Sequence, residues 1–222
     1  MINQETINFL KELTLNNNRD WFQEHKSWYE TAKNEFKSFV QQVKSELSEM
    51  DKIEKAKVYR IYRDLRFTKD KTPYKTHFSA QFMRKGKHRR GGFYMQISEA
   101  EVLVAGGFWG PDKNDLQYIR EGILADAEPL REAFKNKEIR NRFGGLTGEE
   151  LKTAPRGYDR EHPDIDLLRK KQFLLMRKYQ VDKVFEKNFH SQVATDFATM
   201  IPVFQVLTDY LVYDGNGVDR SN

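Results

Sequence analysis

One short stretch of this chain, residues 60–77, concentrates side chains that could hold an anion and transfer a proton. Arg binds phosphate or carboxylate through paired hydrogen bonds, and Lys binds it as a point charge. The stretch has six Lys and Arg but only two acids, a net charge of +4. We predict an anion pocket centred on Arg66, with the ring of Trp109 as a wall. The predicted ligand-binding residues are Arg63, Arg66, Lys71, Tyr74, Lys75, His77 and Trp109.

Proton transfer in such a pocket would need a titratable group, and the candidate catalytic residues are Tyr74, His77 and Asp70. Pro73 favours a turn that brings Tyr74 and Lys75 back over the end of the preceding strand. An alternative interpretation is a structural network, in which Asp64 and Asp70 pair with the neighbouring cations and hold the turn. The residues identify neither a reaction nor whether the protein is an enzyme.

A second basic segment offers an alternative function, binding to nucleic acid. The region 55–90 has 13 Lys and Arg against two acids, a net charge of +11. Since the whole chain carries +5, the remainder carries −6. Within this region the hairpin loop 84–90 has no aromatic residue, so it suits phosphate contacts rather than base stacking. The predicted nucleic-acid-binding residues are Arg84, Lys85, Lys87, Arg89 and Arg90.

Other chemistry has weaker support in the sequence. There are no cysteines, which excludes thiol catalysis and Cys-based zinc sites. The five histidines are scattered, with no pair at metal-binding spacing, and neither a nucleophile elbow nor a Walker loop is present, so we predict no metal and no cofactor. A metal-assisted hydrolase built on Asp64, Asp70 and His77 is a further alternative, as is a purely structural or interaction role.

The elements that position these residues begin with helices. Apolar spacing predicts a first helix over 5–13. Asn17 and Asp20 approximate a capping box, and one long helix should then run to about Met50. The large side chains on its apolar face are predicted to be core rather than ligand contacts. They include Trp21, Trp28, Phe36 and Phe39.

Period-two patterns in the middle of the chain predict strands. One strand is expected within 58–67, and an antiparallel meander over 76–105 with its first hairpin turn inside 85–92. The C-terminal half is less regular. Its predicted elements are helices over 112–124 and from about 127, a long loop over 140–163, a short helix at 167–168, a strand over 173–179, a helix over 184–189 and a final long helix that contains Pro202.

These patterns together predict a single α+β domain over 1–222. We expect an antiparallel sheet, a meander of about four to six strands, covered by helices, and a frayed tail at 214–222. No segment has the length and apolar character of a membrane-spanning helix, and no secretory signal is apparent, so a cytoplasmic protein is expected, with an anionic small molecule as partner. Its oligomeric state is not indicated.

Three motifs in this chain resemble a known family. They are Asn17-Asn18-Arg19-Asp20-Trp21-Phe22, the long segment from Arg63 to His77, and Gly106-Gly107-Phe108-Trp109-Gly110-Pro111. Together they are similar to the conserved hypothetical family 2461 of domains of unknown function, over nearly the whole chain. The resemblance implies a single bacterial-type cytosolic domain. It implies no activity, substrate, cofactor or catalytic residue.

Overall fold

The chain folds as an α+β protein with one antiparallel sheet, which confirms the predicted fold class. The computed structural model describes residues 1–86, 88–214 and 217–220. Lys87 of the basic hairpin loop lies outside the described residues, as do positions 215, 216, 221 and 222 of the tail. In the described part of the tail, Arg220 Nη2 donates to Glu121 Oε2 at 3.2 Å.

The helices and strands alternate in blocks along the chain. The helices are α1 (Gln4–Leu15), α2 (Arg19–Glu24), α3 (Lys26–Met50), α4 (Lys113–Ala125), α5 (Glu128–Lys135), α6 (Lys137–Phe143), α7 (Ile165–Leu168) and α8 (Phe189–Val212). The strands are β1 (Ile53–Val58), β2 (His77–Arg84), β3 (Gly92–Ser98), β4 (Glu101–Phe108) and β5 (Phe173–Gln180). Within the described residues the strand order is β1-β2-β3-β4-β5, so the predicted meander over 76–105 is confirmed.

The strand predicted within 58–67 is wrong, because β1 ends where that strand was expected to begin. Between β1 and β2 the chain forms only an isolated bridge between Tyr62 and Tyr74. Past this bridge the chain turns at Asp64, whose Oδ1 accepts a hydrogen bond from the backbone N–H of Arg66 at 3.2 Å. Such a local bond satisfies a backbone donor that would otherwise pair in a sheet, and so favours a turn.

The single long helix predicted to end near Met50 is divided at His25 into α2 and α3. The backbone N–H and the ring Nδ1 of His25 both bond to the carbonyl oxygen of Trp21, at 3.0 and 2.8 Å, which ends α2. The capping prediction is also wrong by one residue, because Asn18 rather than Asn17 accepts from Trp21 N–H, at 3.0 Å.

This break changes which large side chains reach the core. Phe36 and Phe39 are fully buried, as predicted, but Trp21 and Trp28 are only partly buried. Phe22 and Tyr29 occupy the buried positions instead. The predicted apolar stripe therefore matches the buried residues along most of α3 and is out of phase at the start of the predicted helix, where the chain forms the separate helix α2.

Two predictions in the C-terminal half also need correction. Part of the predicted loop over 140–163 is helical, because α6 extends to Phe143 before Gly144 ends it. The helix predicted over 184–189 is a 3-10 turn at Val181–Phe185, and α8 begins at Phe189. The other helices and β5 lie within a few residues of the predicted bounds.

The described chain divides into two compact units. The first contains residues 1–83, 94–104 and 178–195, and the second contains 84–93, 105–177 and 196–222. In the first unit, the ring of Phe78 in β2 stacks on Phe9 of α1 and Phe36 of α3, with centroids 6.1 and 5.5 Å apart. In the second, the fully buried carboxylate of Asp196 accepts from Arg142 and Arg177, each at 2.8 Å. Helices α1 and α3 thus cover the apolar face of β2.

Candidate anion-binding site

The segment 60–75, called here the basic loop, leaves the sheet after β1 and returns to start β2. Two backbone hydrogen bonds close it, from Arg63 N–H to the Pro73 carbonyl at 2.9 Å and from Lys75 N–H to the Ile61 carbonyl at 2.8 Å. The turn expected at Pro73 therefore does bring Tyr74 and Lys75 back beside the outgoing chain.

Asn17 anchors the returning end of the basic loop. Its Nδ2 donates to the Tyr74 carbonyl at 3.0 Å, and its Oδ1 accepts from Tyr74 N–H at 3.1 Å. The Tyr74 ring stacks on Phe22 at 3.9 Å between centroids, and the residue is only 6% exposed. Burial raises the pKa of the Tyr74 hydroxyl, so this group holds its proton at neutral pH. Tyr74 thus fixes the loop to α2.

Both acids of the basic loop pair with cations of the same loop. Arg66 reaches Asp64 through two guanidinium nitrogens, at 2.6 and 3.0 Å, and Arg63 bonds to Asp70 and Thr72. The Thr72 backbone N–H, followed by the Arg63 side chain, lowers the pKa of Asp70 to about 2. These are the pairs that the structural alternative anticipated. Arg66, the predicted centre, is also open to solvent, with its side chain 76% exposed.

An open groove of about 590 Å³ lies between the basic loop and the start of α2. Of the predicted ligand-binding residues, only Lys71 lines this groove. The Nζ of Lys71 also donates to the Leu65 carbonyl at 3.0 Å. Arg19 contributes a second cation, and within the described residues it has no acidic partner. The groove is lined by Asn17, Asn18, Arg19, Leu65, Lys71, Thr72 and Pro73.

Lys75 and His77 belong to a different surface, the face of the sheet opposite α1 and α3. Side chains alternate along a strand, so those on either side of the buried Phe78 point away from the helices. Neighbouring strands add polar groups to the same face, where Tyr59 Oη donates to Gln81 Oε1 at 2.7 Å and Tyr94 Oη to Gln96 Oε1 at 3.0 Å. We call this the polar sheet face, formed by Lys57, Tyr59, Lys75, His77, Ser79, Gln81, Tyr94 and Gln96.

Positive charge gathers at one end of the polar sheet face. The ammonium groups of Lys57 and Lys75 lie 5.4 and 5.3 Å from the centroid of the Tyr59 ring. Arg60 follows Tyr59 in the chain and is close enough to Lys75 to lower its pKa. Among the described residues, none of these three cations forms a salt bridge. The cluster therefore carries three positive charges. Asp64 pairs with Arg66, which lowers the pKa of that carboxyl, and Arg60 is close enough to help lower it.

Burial and neighbouring charge perturb the two titratable groups that the sequence had singled out here. Burial, followed by the charge of Arg60, lowers the pKa of the Lys75 ammonium. Burial, followed by the charge of Lys75, lowers the pKa of His77 to about 4. His77 is therefore neutral at pH 7, and its ring has no hydrogen-bond partner in the described part of the chain. A neutral imidazole can accept one proton or hydrogen bond and donate another.

Sequence reasoning singled out two residues of this surface and passed over the others. It singled out Lys75 and His77 but placed them with Arg66, and it passed over Lys57, Tyr59 and Arg60 as site residues. One signal was available, because Lys75, His77, Ser79 and Gln81 alternate with the apolar positions of β2. The contribution of β1 depends on strand register, which a single sequence does not reveal.

The remaining predicted residues lie in the second unit. Trp109 directly follows β4 and is 56% exposed. In the hairpin loop, Arg84 donates to the Arg90 carbonyl at 2.8 Å, and Arg90 pairs with Asp115. Two of the cations predicted to contact nucleic acid thus have internal partners, while Lys85 is exposed.

No group of three or more His, Asp and Glu side chains in the described residues is arranged to hold a metal ion, and Asp64, Asp70 and His77 form no such group. None of the described helices is both long enough and apolar enough to span a membrane.

Comparison with known proteins identifies the family. Residues 5–205 match the family described as "Conserved hypothetical protein (DUF2461)", and the chain belongs to this family, as its three motifs indicated. No curated protein and no solved structure gave a match.

Proposed function

We propose that this member of the DUF2461 family binds a small molecule that carries a phosphate or carboxylate group, and that Lys75 on the polar sheet face is the centre of the site. The observation that carries the proposal is the cluster of Lys57 and Lys75 over the Tyr59 ring with Arg60 near Lys75, in which no cation forms a salt bridge within the described residues. This proposal keeps the predicted ligand class and moves the site from Arg66 to Lys75.

Without a bound anion, the cationic cluster is electrostatically unfavourable, which supports Lys75 as the centre of the site. A partly buried ammonium loses hydration, and a second cation nearby adds repulsion. Both effects lower the pKa of Lys75. An anion at this point would replace the lost hydration with charge-assisted hydrogen bonds. Arg66 has less to gain, because its guanidinium already pairs with Asp64 and faces solvent.

The rest of the polar sheet face supplies groups that suit an oxygen-rich ligand. Arg60 can bind an oxyanion through two hydrogen bonds, while Lys57 and Lys75 contribute point charges. Tyr59 and Tyr94 offer rings and hydroxyl groups beside the cations. His77 lies next to the proposed anion position, where its neutral ring can donate one hydrogen bond to a bound ligand and accept another. If the protein is an enzyme, His77 is proposed to orient the reacting group through such a hydrogen bond. The lack of cysteine supports a reducing, cytoplasmic setting.

Thermal unfolding tests the proposal directly. Phosphate, sulfate, acetate and citrate are each compared with chloride at matched ionic strength. A ligand at a hundredfold excess over its Kd stabilises the folded protein by about 2.7 kcal/mol, which raises the Tm of a chain of this size by about 5 °C or more. We expect Lys75→Met to lose this increase and Lys37→Met, which removes an exposed lysine of α3, to keep it.

A third variant separates the two possible centres. Arg66→Ala removes the centre predicted from the sequence and should leave the anion-dependent rise in Tm unchanged. The proposal is wrong if no anion exceeds the chloride control, or if Lys75→Met responds as the wild type does. Loss of the response in Arg66→Ala alone would return the centre of the site to Arg66.

A further inference from the structure

The tip of the basic loop exposes an aromatic ring that the small-anion site does not use. Phe67 is 93% exposed, more than any other large hydrophobic residue in the described part of the chain. Full exposure of a Phe side chain is unfavourable relative to its burial. A ring in this position can stack on a flat partner.

The surroundings of this ring are cationic. The Arg66 guanidinium lies 5.5 Å from the Phe67 ring centroid, within the range of a cation–π contact. Lys69 follows in the loop, is exposed and has no acidic partner among the described residues. An exposed aromatic ring between cations is the combination that binds single-stranded nucleic acid, because the ring stacks on a base and the cations contact the phosphates.

The groove beside the loop provides space for the rest of a nucleotide. Leu65 and Lys71, which lie on either side of Phe67 in the chain, both line it. Its volume of about 590 Å³ is within the usual range for small-molecule sites. Asn18 uses its Oδ1 to cap α2, which leaves its amide N–H groups available, and Arg19 adds a cation. Amide and guanidinium groups suit the edges of bases and the phosphates.

We propose that the tip of the basic loop, residues 65–71, and this groove bind single-stranded nucleic acid, with one base stacked on Phe67 and the backbone contacted by Arg19, Lys69 and Lys71. This surface differs from the hairpin loop 84–90, where no aromatic residue is present. It also uses none of the residues of the polar sheet face, so each of the two proposals can be tested without the other.

Single strands fit the site better than the other polyanionic surfaces. In a duplex the bases are stacked on each other, so Phe67 could not stack on one base without separating it from its neighbour. An anionic membrane would attract the same cations, but it would make no use of the amide-lined groove. Stacking also predicts little sequence preference, because every base has a flat face.

Fluorescence anisotropy with the full chain tests the proposal. The probes are a labelled oligothymidylate and an oligouridylate of about 12 nucleotides, and a duplex of the same length. We expect the single strands to bind at least tenfold more tightly than the duplex at about 50 mM salt, and to weaken steeply at about 200 mM. Phe67→Ala should reduce single-strand affinity by about tenfold or more, while Phe67→Trp retains it.

Matched variants identify the surface and the partner. Leu124→Ala, which shortens an exposed apolar side chain of α4, and Lys37→Met, which removes an exposed lysine of α3, should both bind single strands as the wild type does. Equal affinity for duplex and single strand, or no effect of Phe67→Ala, would overturn the proposal. So would sedimentation with phosphatidylserine vesicles that depends on Phe67 when no oligonucleotide binds, since the partner would then be a membrane surface.

Discussion

His77 shows how the position of a residue in its strand determines the protonation state of its side chain. It lies on the polar sheet face, where the preceding Lys75 shares its orientation and the following Phe78 points to the helices. Burial and the nearby ammonium both disfavour a second positive charge there. The ring is therefore held neutral across the physiological pH range.

The pH dependence of stability should reveal this neutral histidine. The pKa of His77 is about 4 in the folded protein and about 6.5 in the unfolded chain. The unfolded chain therefore binds more protons between these values, and the free energy of unfolding falls as the pH drops from 6.5 to 4. The loss is at most about 1.4 kcal/mol per pH unit. Urea unfolding at about pH 7 and pH 4.5 should show this loss in the wild type. His77→Gln should flatten the slope in that window, and an unchanged slope would show that another group titrates.

At the scale of elements, α2 acts as a clamp for the basic loop. Two consecutive asparagines at its start have separate tasks, since Asn18 caps the helix and Asn17 binds both backbone groups of Tyr74. The sequence showed that this segment favours caps and turns. It could not show which amide would cap, because the partner of Asn17 lies far along the chain.

Replacing each asparagine should separate these tasks. Asn18→Ala removes an N-cap and should cost about 1 kcal/mol. Asn17→Ala breaks two partly buried hydrogen bonds and should cost about 1–3 kcal/mol. Only Asn17→Ala should speed tryptic cleavage within the basic loop, because that loop loses its anchor. Urea melts and a cleavage time course measure both effects. Equal cleavage rates in the two variants would show that Tyr74 holds the loop without Asn17.

At the scale of the whole molecule, local pattern predicted the sheet and most helices, and contacts between distant segments decided the rest. The apolar alternation in β2 and β3 and the stripe of α3 repeat at regular intervals, so they could be read directly. The pairs of Arg63 and Arg66 with nearby acids are also local. The cluster around Tyr59 combines residues from the end of β1 and from both ends of the basic loop, and its geometry depends on how β1 and β2 pair.

The backbones of β4 and β5 approach so closely at Gly107 that no side chain would fit there. Gly107 has φ +135°, and a Cβ there would lie 2.0 Å from the Phe173 carbonyl oxygen. Gly107→Ala should therefore cost about 3 kcal/mol or more, through backbone strain and steric overlap. Gly110 is the matched control, because a Cβ there meets no atom within 4 Å, and its replacement by Ala should cost less than about 0.5 kcal/mol. Chemical denaturation measures both variants, and similar losses would refute the steric argument.

The strand order also has a consequence for the order in which the protein folds. Strands β2, β3 and β4 are joined by short turns, such as the one in which Ser98 Oγ accepts from Glu101 N–H at 3.1 Å. Strand β5 reaches β4 only after the segment 109–172, which contains α4 to α7, has been brought back. Closing a longer loop costs more chain entropy before any contact compensates for it. The edge of β4 should thus stay unpaired longest during folding, and the backbone of Gly107 would be the last part of the sheet to be covered.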